Sequence, residues 1–169
     1  MFNETVKVFF EISKPDAVIY ILFFNACARI GSDKASALVK KVLSNMPKSF
    51  RLNPKVLTSA FDAFVKCKDL PSAEQLFFNM KPSVISYGNL MKAYNEDDQP
   101  DKTLNLYKRM KHDRIEPNSL IYVFLLNACA KIGTFTISQS ISEQIPSSFL
   151  NDSKVQTTLI DMWVRVVMN

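Results

Sequence analysis

The sequence predicts an all-α protein, a solenoid of stacked antiparallel helix pairs. Three observations carry that expectation. A thirteen-residue string recurs within the chain, apolar residues recur at helical spacing, and only three of 169 residues are glycine. Strands alternating between buried and exposed side chains and bounded by turn dipeptides are not found, so helices joined by short turns are the economical reading.

The recurring string is IYILFFNACARIG at 19–31 and IYVFLLNACAKIG at 121–133. Eight positions are identical and five are conservative exchanges. The two copies lie 102 residues apart (19 against 121), about three units of a repeat in the mid-thirties. A second stripe fixes the unit. Thr5, Val8, Phe9 and Ile12 share their spacing with Ala73, Leu76, Phe77 and Met80, and with Thr103, Leu106, Tyr107 and Met110. Positions i, i+3, i+4 and i+7 form one face of an α-helix. Each stripe stands half a repeat from a different helical segment, such as Leu57 to Phe64 or Ser86 to Tyr94.

In chain order, residues 1–16 are then the second helix of a partial unit. Ala17 to Asn53, Pro54 to Ser83, Val84 to Asn118 and Ser119 to Asp152 are four complete units, and residues 153–169 are a lone first helix. Gly31 and Gly133 suit left-handed caps at the ends of first helices. Pro71 and Pro100 suit the opening turns of second helices, where a missing N–H costs nothing. Pro54 and Pro117 fall between units. A helix pair cannot bury its apolar stripe alone, so the pairs stack.

Composition narrows the chemistry. A net charge of +5 and a pI of about 9.1 mildly favour an anionic partner. Cys27, Cys67 and Cys129 are an odd number spread far apart and read as buried thiols of a reducing compartment. His112 is the single histidine, so no zinc constellation is expected, nor any other metal or cofactor. No apolar run reaches the roughly 18 residues of a membrane span. Residues 1–14 show neither a secretory nor an Arg-rich transit pattern.

With the register in place, the chain resembles the pentatricopeptide repeat (PPR) family. The stretch 84–118, VISYGNLMKAYNEDDQPDKTLNLYKRMKHDRIEPN, is similar to a standard 35-residue unit through its opening V-x-S-Y, its L-x-L-Y-x-x-M and its closing I-E-P-N. The units at 17–53 and 119–152 resemble long-type repeats of the plant-like mixed subclass. The unit at 54–83 resembles a short-type repeat, and TTLIDMW at 157–163 resembles the opening helix of another. A chain starting and stopping mid-repeat is expected to be a fragment.

The resemblance implies a right-handed solenoid that binds single-stranded RNA, reading about one base per unit with two or three side chains. The carried-over base-reading pairs are Ile21 with Asn53, Thr58 with Ser83, Gly88 with Asn118, and Val123 with Asp152, while Thr157 stands without a partner. Base-packing residues are Val18, Ile85 and Leu120, with Lys55 and Lys154 departing from the pattern. Arg29, Lys66 and Lys131 recur late in first helices. They would neutralise phosphates on the concave face, or alternatively stabilise helix dipoles. With aliphatic Ile21 and Val123 and a blank Gly88, little base discrimination is expected.

Further implications are a mitochondrial or other organellar location, otherwise a cytoplasmic one, and a role in RNA processing or editing. Other RNA-processing proteins are further partners, with no membrane and no small-molecule substrate. Family members that edit cytidine carry H-x-E and C-x-x-C segments around zinc; neither occurs here, and no enzyme is expected. A helical-repeat protein scaffold and a non-functional repeat fragment remain the alternatives.

Overall fold

The computed structural model describes residues 2–168; Met1 and Asn169, the outer bounds of the two partial units, lie outside the described residues. The chain is an all-α helical-repeat protein, 79% helical, with no strand among the described residues. It forms two compact units, Met1–Pro82 and Ser83–Asn169.

The first unit contains α1 (Phe2–Glu11), α2 (Ala17–Ile30), α3 (Asp33–Asn45), α4 (Lys48–Arg51), α5 (Pro54–Lys66) and α6 (Leu70–Asn79). First helices α2 and α5 pack side by side, and α3 and α6 return along them. The core is aromatic: Phe24, Phe61 and Phe77 are fully buried, with Phe61 and Phe77 rings 5.8 Å apart. Residue Gly31 ends α2 at φ 61°, its N–H donating to the Cys27 carbonyl 3.1 Å away.

One polar cluster ties α3 to the start of α6. Asp69 caps α6 by accepting from the Ser72 N–H at 3.3 Å, receives the Ser36 hydroxyl, and pairs with the Lys40 ammonium at 2.7 Å. Burial pushes the Asp69 carboxyl up, but Lys40, Ser36 and Ser72 outweigh it and hold the group at about 2.

The second unit contains α7 (Val84–Glu96), α8 (Pro100–His112), α9 (Ser119–Ile132), α10 (Phe135–Glu143) and α11 (Ser153–Met168). Here Asn95 links three helices. It accepts from the Thr103 hydroxyl at 2.8 Å, and its amide donates to the Phe124 carbonyl at 2.8 Å. Gly133 repeats the left-handed cap at φ 68°. The thiols of Cys27, Cys67 and Cys129 are free and buried, and burial pushes all three upward.

Residues 46–52 and 145–151 share a feature that the helical stripes do not announce. After the second helix, Pro47 opens the one-turn α4, and Pro146 opens a 3-10 turn at Ser147–Phe149. Each turn delivers a phenylalanine to the tyrosine of its own unit: Phe50 to Tyr20 and Phe149 to Tyr122, both at 5.4 Å. The ring contact, together with the buried Met46 and Ile145, folds the connection back onto the first helix.

Candidate nucleic-acid interface

The five first helices α2, α5, α7, α9 and α11 begin in the same register, so each helix position defines a row of equivalent residues. The row just before each helix is Asp16, Asn53, Ser83, Asn118 and, before α11, Asp152. All five side chains accept hydrogen bonds from backbone N–H groups of the first helical turn. The four proposed to read bases as the last residue of a unit are therefore also N-caps, satisfying donors that the helix itself cannot.

That double duty decides which atoms remain for a ligand. Asn118 Oδ1 accepts from the Ile121 N–H at 3.1 Å, leaving its amide N–H groups to donate. Asn53 is arranged likewise, accepting from Lys55 and Val56 at 3.0 and 3.4 Å. Ser83 accepts from Ser86 N–H at 3.3 Å. Asp152 accepts from Lys154 and Val155 N–H at 2.9 and 3.4 Å, and the Lys154 N–H foremost holds its carboxyl below the usual range.

Five residues into the helices stand Ile21, Thr58, Gly88, Val123 and Thr157. Thr58 and Thr157 are exposed and donate to the carbonyls of Pro54 and Ser153, both at 2.8 Å. Each hydroxyl oxygen is thus left as an acceptor. Ile21 and Val123 are half-buried, and Gly88 is buried against α9. At the second helical position Val18, Ile85 and Leu120 are 59%, 68% and 47% exposed, far more than residues holding a core would be. Lys55 and Lys154 occupy the same row, exposed and without an ion pair among the described residues.

The thirteenth position separates the two units. Arg29 and Lys66 are exposed and make no ion pair or hydrogen bond from their side chains among the described residues. Lys131 is already engaged: its ammonium donates to the Asn95 carbonyl at 2.7 Å and to Asp98 at 2.9 Å. Glu96 and Arg165 complete the row, pairing with Lys92 at 3.6 Å and Asp161 at 2.9 Å. The sequence reading missed these two, although counting from each N-cap would have found them. It missed Phe124 as well, which lies half-buried beside Gly88.

Residues 82–131 match the PPR repeat family. Similar PPR proteins are found in Arabidopsis thaliana. A PPR-containing protein is 30% identical over 135 residues, covering 79% of this chain and 24% of the relative. A mitochondrial one is 26% identical over 135 residues, covering 79% and 23%. A chloroplastic one is 27% identical over 115 residues, covering 67% and 19%. This chain therefore spans about a fifth to a quarter of the length of these PPR relatives. No described helix is long and apolar enough to cross a membrane.

Proposed function

We propose that this chain is a PPR segment that holds single-stranded RNA on the first helices of each of its two compact units. The observation that carries the reading is the shared register: capping Asn53, Ser83, Asn118 and Asp152 stand one turn from the residues at the second and fifth helical positions. Asp16 with Val18, Ser83 with Ile85 and Asn118 with Leu120 each place one short polar side chain near one exposed apolar one, whereas Lys55 and Lys154 follow Asn53 and Asp152. That combination suits a splayed base, which needs an edge partner and a face partner. Single strands present such bases; duplex RNA keeps them stacked.

Arg29 and Lys66, with Lys55 and Lys154, supply the uncommitted positive charge for phosphates. Lys131 contributes less because Asp98 neutralises it. Thr58 and Thr157 accept, Asn53 and Asn118 donate, and Asp152 accepts only, whereas Ile21, Val123 and Gly88 leave their units without a side-chain reader at the fifth position. The segment accordingly binds with shallow base preference, as part of an organellar RNA-processing or RNA-editing specificity factor. The mitochondrial and chloroplastic relatives support that setting.

A second reading, a protein-binding scaffold, draws on the paired charges of Lys92, Lys131 and Arg165, which leave the second unit little net attraction for a polyanion. Fluorescence anisotropy of the chain with single-stranded RNA homopolymers and duplex RNA over a range of salt separates the two. Salt-dependent binding that prefers single strands is expected. A folded chain that binds neither RNA at low salt overturns the RNA reading in favour of the scaffold.

A further inference from the structure

Helices α7, α9 and α11 leave between them an open groove of about 330 Å3, lined among others by Lys92, Asn95, Phe124, Asn127, Lys131 and Arg165. Phe124 is the one aromatic ring among its lining residues. The corresponding positions of the other first helices carry Leu22, Ser59, Asn89 and Thr158, so the ring is peculiar to this unit. Its backbone is pinned by the Asn95 amide at 2.8 Å.

Gly88 lies beside the ring and presents no side chain to it. A β-carbon at 88 would stand 3.6 Å from Phe124 Cε2 and 3.6 Å from Ile121 Cδ1, so any longer side chain there would crowd the ring. The groove's charges, meanwhile, are balanced internally. Lys92 pairs with Glu96, Arg165 with Asp161, and Lys131 with Asp98 just outside. A phosphate gains little from cations already neutralised. A partly exposed aromatic ring near the amides of Asn95 and Asn127 instead suits the face of a base, and stacking of this kind tolerates every base.

We infer that Phe124 stacks a base of the bound RNA, supplying at the Gly88 unit the contact that glycine itself lacks. This rests on the RNA reading above and adds a binding residue to the rows already described. It also makes the Gly88 unit an affinity position with no base preference from that residue.

The test uses the whole chain, with oligouridylate, oligoadenylate and an abasic ribose-phosphate oligomer of equal length, read by anisotropy. Phe124→Leu and Phe124→Met keep apolar volume and remove the π face, whereas Phe124→Tyr and Phe124→Trp keep a ring. The leucine and methionine variants are expected to bind base-bearing oligomers roughly ten-fold more weakly, with affinity for the abasic oligomer and thermal unfolding unchanged. The tyrosine and tryptophan variants should bind like the parent. Equal binding by the leucine or methionine variant, or the same loss on the abasic oligomer, overturns the stacking role while leaving the RNA reading intact. A parent chain that binds no single strand overturns both.

Discussion

The Lys131 ammonium lies 2.9 Å from the Asp98 carboxylate, and Asp98 sits in a left-handed turn at φ 55° just beyond the end of α7. The same ammonium donates to the Asn95 carbonyl in the last turn of α7, where the helix dipole favours a positive charge. Lys131 is thus a fastener for α7, whereas Arg29 and Lys66, at the same helix position, face solvent uncommitted.

Opposite consequences follow for charge reversal. Lys131→Glu should lower the melting temperature by a few degrees, corresponding to roughly 1 kcal/mol for a partly exposed pair and one carbonyl hydrogen bond. Arg29→Glu and Lys66→Glu should leave melting unchanged and weaken RNA binding, each reducing the salt slope by about one. Circular-dichroism melts beside salt-titrated anisotropy check both halves. A Lys66→Glu variant with unaltered RNA affinity would remove the phosphate role.

The capping row separates folding from recognition at Asn118. Replacement by alanine should cost about 1 kcal/mol through the lost acceptor for the Ile121 N–H. Replacement by serine should melt like the parent while changing base preference, since the amide donors are gone and a hydroxyl remains. Melts and a homopolymer binding series distinguish these outcomes, and an identical preference in Asn118→Ser would count against the reader assignment.

The two glycines should respond to alanine with opposite signs. At Gly31 the backbone is left-handed and a β-carbon would meet the Lys66 carbonyl oxygen at 3.1 Å. Gly31→Ala should destabilise by at least about 1 kcal/mol. Gly88 is mid-helix with only ordinary contacts at 3.6 Å, so Gly88→Ala should stabilise by up to about 1 kcal/mol. Chemical denaturation of both variants provides the comparison.

Asp69 gives a pH dependence. Its carboxyl is held at about 2 against an ordinary 3.8, so its contribution to folding is complete above pH 4 or so and is lost as the pH falls toward 2. The contribution is on the order of 1–2 kcal/mol, allowing for the exposed Lys40 partner. Asp69→Asn should flatten the fall in stability over that range, and denaturation between pH 2 and 5 measures it.

Helix pairs and their register were legible because repetition multiplies a weak stripe: NACARIG and NACAKIG locate α2 and α9, and glycine caps end both. Connections are not repeated in every unit, and α4 and the turn at Ser147–Phe149 have too few residues to display a stripe. Their signal was the shared P-x-S-F at 47–50 and 146–149, readable once the Tyr20–Phe50 and Tyr122–Phe149 contacts are known. Among site residues, helix position was legible and partnership was not. Lys131 and Lys66 look alike in sequence, and only the approach of the Asp98 turn distinguishes them.

Because Asn53, Ser83, Asn118 and Asp152 also secure the start of the helix that follows, a short hydrogen-bond acceptor is favoured at those positions. Evolution or a designer re-addressing this chain to another ligand therefore writes those positions in an alphabet of about four letters, Asn, Asp, Ser and Thr.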